Sequence, residues 1–174
     1  AAIAAEKAGI IKPGVPCVVG DVPPEAEAVI VARAREVGAP LHFVRDRFVA
    51  GLPETNLVGE HQRRNAAAAL LACELATRLP IDDAQARAAL RSIEWAGRWQ
   101  EFRLIDGRRL IVDGSHNEEG IRAVAPLLAA LNAPTVIVGA LGVDRARPLV
   151  AAAAAAAMEL LPPCEDRFES LRTT

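Results

Sequence analysis

The 174-residue chain has no tyrosine, and aromatic residues make up 3% of it. Its 52% hydrophobic content therefore rests on aliphatic side chains and above all on alanine, which buries little area per residue. Cysteine is nearly as scarce. Cys17, Cys73 and Cys164 are odd in number, far apart, and set in apolar or proline-flanked surroundings. That pattern excludes a disulfide framework and a zinc site, and it predicts reduced thiols in a cytoplasmic protein. Neither sign of charge dominates. A net charge of −2 and a pI near 6.0 exclude the electrostatic footprint of a partner such as nucleic acid or an anionic membrane. Long hydrophobic runs are missing too, since the alanine stretch at 151–157 is too short and weakly apolar to span a bilayer. There is no signal-peptide pattern. The sequence opens without Met in a helical pattern and stops at Thr173-Thr174 with no closing element, as a fragment would.

What remains is an alternation of strands and helices. Residues 2–8 read as a helix end stopped by Gly9, with a turn at Pro13-Gly14. A buried strand is expected at 15–19, a helix from Pro23-Pro24 to about 37 with Gly38 in the stop position, and a second strand at 41–44. Residues 45–58 look irregular. A long helix is expected from 60 to about 79, with a stripe at Ala66, Leu70, Cys73 and Ala76-Thr77, and then a helix capped by Asp82 through about 93. The character changes at Trp95-Ala96-Gly97-Arg98, so a domain boundary is expected near 95. Strands at 98–105 and 108–113, joined by Asp106-Gly107, read as a hairpin. A helix at about 118–131, a strand at 135–138, a helix at about 147–158 and a further strand ending near 159–161 complete an α/β pattern.

The densest chemistry lies at Leu110-Ile111-Val112-Asp113-Gly114-Ser115-His116-Asn117. In an open α/β sheet, ligands bind where loops leave the carboxyl ends of strands. Asp113 could accept from a ribose diol, Gly114 permits a turn, and the adjoining helix start favours phosphate. The same residues also read as a plain strand–loop–helix junction with Asn117 as N-cap. Lys7, within Glu6-Lys7-Ala8-Gly9-Ile10-Ile11-Lys12-Pro13-Gly14, could be solvated at a helix C-terminus. Were it neutral, it could react with CO2 and present a carboxylate-like head to Mg2+. His61 and Asn65, four apart in Gly59-Glu60-His61-Gln62-Arg63-Arg64-Asn65-Ala66-Ala67, share one helix face. An amide there could read an adenine edge, or the segment could be a polar helix start whose alanines allow close packing. Arg98 suits an oxyanion, or is a surface arginine on a linker.

Together and in this order, these stretches resemble the folylpolyglutamate synthase/dihydrofolate synthase family, a branch of the Mur ligase superfamily. The resemblance rests on residues 3–16, Gly59-Glu60-His61-Gln62 with Asn65-Ala66-Ala67, Trp95 with Gly97-Arg98, and Asp113-Gly114-Ser115-His116-Asn117. It implies an α/β fold: the later part of a central ATP-binding domain over 1–95, then the first half of a Rossmann-like glutamate-ligase domain over 96–174. The implied reaction joins L-glutamate to dihydropteroate or to a folate γ-glutamyl carboxylate, through an acyl phosphate made with ATP and Mg2+. The resemblance further implies a carbamylated, metal-organising Lys7, an adenine contact by Asn65 and a nucleotide contact by Arg98. Asp113 would hold the ribose, and His116 would lie near the phosphates and the incoming glutamate. A monomer binding only small molecules is expected. The phosphate loop and the other Mg2+ ligands of the family fall upstream of Lys7, so the chain alone is expected to be inactive. Gly142-Val143-Asp144-Arg145-Ala146-Arg147 departs from the family's usual lysine-bearing run there. Two alternatives stand beside this one: another Mur-type amino-acid ligase, or a non-catalytic remnant that binds nucleotide weakly or serves as an interaction domain.

Overall fold

A helix that opens on Pro24 and closes on Gly38 organises the first half of the molecule. In the computed structural model, which describes residues 2–78, 81–131, 135–139 and 143–158, the backbone divides into two units, Ala1–Trp95 and Ala96–Thr174. The first unit runs α1 (Ala2–Ala8), β1 (Cys17–Val19), α2 (Pro24–Val37), β2 (Leu41–Phe43), α3 (Val44–Arg47), α4 (Glu60–Leu75) and α5 (Asp83–Ala89). Pro24 sits in the first turn of α2, where its missing N–H costs nothing, and Glu25 and Glu27 complement the helix dipole. Gly38, at φ 67°, closes the helix in the left-handed region, where glycine carries no penalty, and its N–H reaches back to Arg35 O. The helix returns the chain so that β1 and β2 pair in parallel, with Cys17 opposite Leu41 and Val19 opposite Phe43.

Successive strand residues face opposite sides of this sheet, and both sides are covered. Cys17 and Leu41 pack with Ala8, Ile11 and Ala34 of the α1–α2 side. Val18 packs with Val44, Ala67 and Leu71 on the α4 side. Burial pushes the Cys17 thiol above its ordinary range, which keeps it protonated. α4 has a second stripe, Ala66 and Leu70, set against Leu90 at the end of α5. Each stripe is an i, i+4 pair, and the alanines let neighbouring backbones approach closely. Burying Leu70 to 2% exposure contributes about 1.5–3 kcal/mol.

Several boundaries depart from the sequence expectation, β1 beginning at Cys17 rather than at 15 among them. Val44 is helical rather than the end of a strand, and the segment expected to be irregular begins with the helical turn α3. Val44 is drawn into the α4 core, while Arg45 and Arg47 are gripped by the forks of Glu27 and Glu74 at 2.6–2.9 Å. α4 ends at Leu75 because Ala76 (φ −80°, ψ 66°) turns out of the helix. The Asp82-capped helix ends at Ala89, since Asn56 captures the backbone just beyond it. The Asn56 amide pairs with both the N–H and the carbonyl of Ile93 at 3.0 and 2.9 Å, and its own backbone N–H donates to Leu90 O.

The second unit opens with the antiparallel pair β3 (Gln100–Arg103) and β4 (Arg109–Val112), succeeded by α6 (Glu118–Ala129) and α7 (Val143–Met158). Its core is Trp99, Ile121, Val124 and Leu149, with Ile111, Leu127 and Leu128 packed around them. The hairpin turn is one residue longer than an Asp-Gly pair. Gly107, at φ 82°, donates to Leu104 O at 3.0 Å, and Leu104 N donates to Arg108 O. Ile105, Asp106 and Gly107 thus form a three-residue loop with glycine in the left-handed position. Residues 135–139 form no strand, and Val136 and Ile137 are exposed: an apolar β-branched run by itself supplies neither a hydrogen-bonding partner nor a covering face. α7 begins at Val143 rather than near 147 and runs through Pro148, forgoing one backbone bond. The expected strand ending near 159–161, Cys164 and residue 142 lie outside the described residues. Among the described residues, no helix is long and apolar enough to cross a membrane.

Candidate functional site

The loop that leaves β4 is built around one carboxylate. Asp113 Oδ2 accepts from the Trp99 N–H at 2.9 Å. Its Oδ1 accepts from the Ser115 N–H at 2.9 Å and from Ser115 Oγ at 2.5 Å. Charge-assisted bonds of this kind are about twice as strong as neutral ones. They hold Trp99 at φ 50°, a left-handed backbone that is uncommon for any residue but glycine. The indole meanwhile anchors the core at 8% exposure. The 97–99 segment is also tied to this loop through its backbone, since Gly114 N donates to Gly97 O at 2.7 Å. A Cβ on Gly114 would come within 3.3 Å of that carbonyl and 3.5 Å of a guanidinium nitrogen of Arg98. Arg98, Asp113 and His116 are therefore brought together in the second unit.

His116 is exposed, and its Nδ1 lies 3.0 Å from Gly114 O. A carbonyl can only accept, so Nδ1 is the donor here, which leaves Nε2 as the acceptor of the neutral ring. Asn117 caps α6, its Oδ1 accepting from Gly120 N at 2.7 Å. Glu118 and Glu119 fill the first turn, satisfying the dipole with carboxylates where an anion had been expected. Gly120 sits in a crowded place, for a Cβ there would meet Asn117 Oδ1 at 3.1 Å and Ser115 Oγ at 3.2 Å. A cavity of about 430 Å3 in this unit is lined by Trp99, Asp113 and Ser115 together with Ile111, Ile121 and Val124.

The other two candidates belong to the first unit. Lys7 is exposed in the last turn of α1. Its neighbours explain the surrounding motif: Ala8 and Ile11 are buried in the core, and Gly9 passes so close to Glu6 O that a Cβ would lie 3.0 Å from it. Among the described residues, no three His, Cys, Asp or Glu side chains converge as metal ligands. Asn65 is exposed in the second turn of α4, and its Nδ2 donates to Oε1 of Gln62 at 3.2 Å. His61, on the same face, is half-buried.

The sequence pattern did not single out Gln62, Trp99 or Gly120. A glutamine among polar helix-start residues carries no sign of burial. Trp99 acts through its backbone N–H, which any residue but proline possesses. Gly120 had a local signal, a glycine inside a helical pattern, which often marks a close approach.

No family model matches the chain. Individual proteins do. The dihydrofolate synthase/folylpolyglutamate synthase of Bacillus subtilis is 35% identical over 147 residues, taking in 71% of this chain and 34% of that protein. The folylpolyglutamate synthase of Lacticaseibacillus casei is 33% identical over 167 residues, taking in 80% of this chain and 38% of that protein. A solved FPGS–AMPPCP–folate complex superposes with a TM-score of 0.75 at 26% identity, over 89% of this chain and 44% of that one. The chain thus spans less than half the length of these relatives. Within that span, fold and sequence agree, and the chain belongs to the folylpolyglutamate synthase/dihydrofolate synthase family.

Proposed function

We propose that this chain supplies nucleotide-binding parts of an ATP-dependent ligase that adds L-glutamate to a folate γ-glutamyl carboxylate, to dihydropteroate, or to both. The observation that carries this reading is the joining of Arg98, Asp113 and His116 through one hydrogen-bonded loop, in a chain whose relatives are folylpolyglutamate synthases. In this reading residues 1–95 are part of the central ATP-binding domain and residues 96–174 part of the glutamate-ligase domain. The setting is the cytoplasm, which suits the free thiols of Cys17 and Cys73.

ATP supplies the phosphoryl group that turns an unreactive carboxylate into an acylating agent. This chain's part is to bind and orient. The Asn65 carboxamide offers an acceptor and a donor to an adenine edge. Arg98 offers a planar cation to ribose or phosphate oxygens. Asp113 already accepts three hydrogen bonds, and a carboxylate has about four lone-pair sites, so about one remains for a ribose hydroxyl. Its larger role is to hold Arg98 and His116 in register. With Nδ1 of the exposed His116 on the Gly114 carbonyl, Nε2 is the ring atom left to take a proton from an incoming ammonium or to receive a hydrogen bond. Lys7, once carbamylated, would add one oxygen ligand for Mg2+, the remaining ligands coming from elsewhere.

The test is a chimera. Replacing the aligned stretch of the Lacticaseibacillus casei folylpolyglutamate synthase with this chain should preserve ATP- and glutamate-dependent phosphate release on adding a folate or dihydropteroate. Lys7→Ala in the chimera should abolish it. A chimera that folds by circular dichroism yet releases phosphate only with a muramyl peptide, or with no acceptor tried, would overturn the assignment.

A further inference from the structure

We propose that Trp99 is a positioning residue that holds the backbone of Arg98 in place before nucleotide arrives, so that binding does not have to order it. This rests on the reading of Arg98 as a nucleotide contact. Among the described residues, Trp99 is the one other than glycine with a positive φ, at 50°. Such a backbone costs free energy for any side chain with a Cβ, and it persists where the surroundings over-determine it, as at ligand clamps. Two sets of contacts do so here. The indole is 8% exposed and packs into the core with Ile121, Val124 and Leu149. The N–H is held by Asp113 Oδ2 at 2.9 Å.

Arg98 is thereby tethered on both sides. After it stands the Trp99 N–H on Asp113. Before it, the Gly97 carbonyl accepts from the Gly114 N–H at 2.7 Å, and the Gly97 N–H donates to Gln100 Oε1 at 3.0 Å. Each of these three bonds has a backbone N–H as its donor, so its direction is set. Arg98 itself is exposed, and its guanidinium lies across Gly114, where a Cβ would come within 3.5 Å of Nη1. A long cationic side chain on a free loop loses conformational freedom when it grips an anion. On a clamped backbone it loses less, and the difference appears as affinity.

Calorimetric titration of the full chain with ADP tests this. Trp99→Gly accepts the left-handed backbone without strain and keeps the N–H, but it removes the anchor in the core. It should weaken ADP about tenfold, as when the competent loop is populated about a tenth of the time. Trp99→Phe, which keeps an anchor, should retain most of the affinity. The loss must also run through Arg98: Arg98→Ala should weaken ADP, and Trp99→Gly on top of it should add little. A second readout needs no ligand, since exchange of the Gly114 amide should be slow in the unsubstituted chain and in Trp99→Phe, and fast in Trp99→Gly. The inference is overturned if Trp99→Gly binds ADP as the unsubstituted chain does, or if its loss and that of Arg98→Ala add in full. Should Trp99→Gly fail to fold, Gly97→Ala tests the same clamp from its other side. Gly97 has a φ of 70° and a Cβ there would meet nothing within 4 Å, so only the backbone before Arg98 is strained. That variant should weaken ADP in the unsubstituted background and not in Arg98→Ala, and undiminished affinity would overturn the inference. Failure of the nucleotide reading looks different: the chain binds no ADP, or Arg98→Ala leaves ADP affinity unchanged.

Discussion

The two units hold their candidate residues by different means. In the first, Lys7 and Asn65 project from helices whose inner faces are locked by apolar packing on both sides of a parallel sheet. Their backbone positions are set by Ala8, Ile11, Ala66 and Leu70, and only the orientation of the side-chain tip is left open. In the second, Arg98, Asp113 and His116 lie on loop, and their positions depend on hydrogen bonds made by Asp113, Gly114 and Gly97. A site on packed helices tolerates loss of its functional side chain. A site organised by one carboxylate loses its geometry along with that carboxylate.

The largest effects are expected in the cores, where the two units should respond separately. Leu149 is 1% exposed at the centre of the second unit's apolar cluster, and Leu149→Ala should cost about 2–5 kcal/mol. Denaturant titration monitored by amide exchange should find α6 deprotected and α4 little changed, and Leu70→Ala should give the reverse. A smaller effect separates organiser from ligand. Asp113→Asn removes the charge from three hydrogen bonds and should cost about 1–3 kcal/mol. It should accelerate exchange of the Trp99 and Ser115 amides with no nucleotide present. Unchanged exchange would mean that Asp113 serves a ligand only.

The smallest effect is that of acid. The Arg45 fork on Glu27 in one unit, and Arg108 on Asp106 in the other, hold both carboxyls below the usual carboxylate range. A depressed carboxyl stabilises the fold fully above its unfolded pKa, and the contribution fades as pH falls through the depressed value. Melting temperature should therefore begin to drop below about pH 4. Because both pairs are exposed, salt at about 0.5 M should shrink that drop.

Much of this was legible in the sequence wherever a residue acts locally. Pro24 and Gly38 bracket α2, Asp82 caps α5 and Asn117 caps α6, each through a bond or dihedral set by its own few neighbours. Partnership across the chain was not legible. The run at 135–138 suggested a strand, yet it has no strand partner and Ile137 is exposed, and nothing near Asn56 shows that it grips Ile93, 37 residues away. The motif Asp113-Gly114-Ser115-His116-Asn117 suggested ligand chemistry, yet much of its hydrogen bonding is spent on assembling its own loop. Asn117 proved to be the helix cap that the plainer interpretation gave it. Gln62 stayed hidden because burial of a polar residue depends on what packs against it.

Amide NMR of the isotope-labelled chain during titration with ADP decides whether these residues form a nucleotide site. Saturable shifts at residues 97–99 and 113–117, together with the Asn65 side-chain amide, are expected. Shifts confined to other residues, or none at millimolar ADP, would contradict such a site.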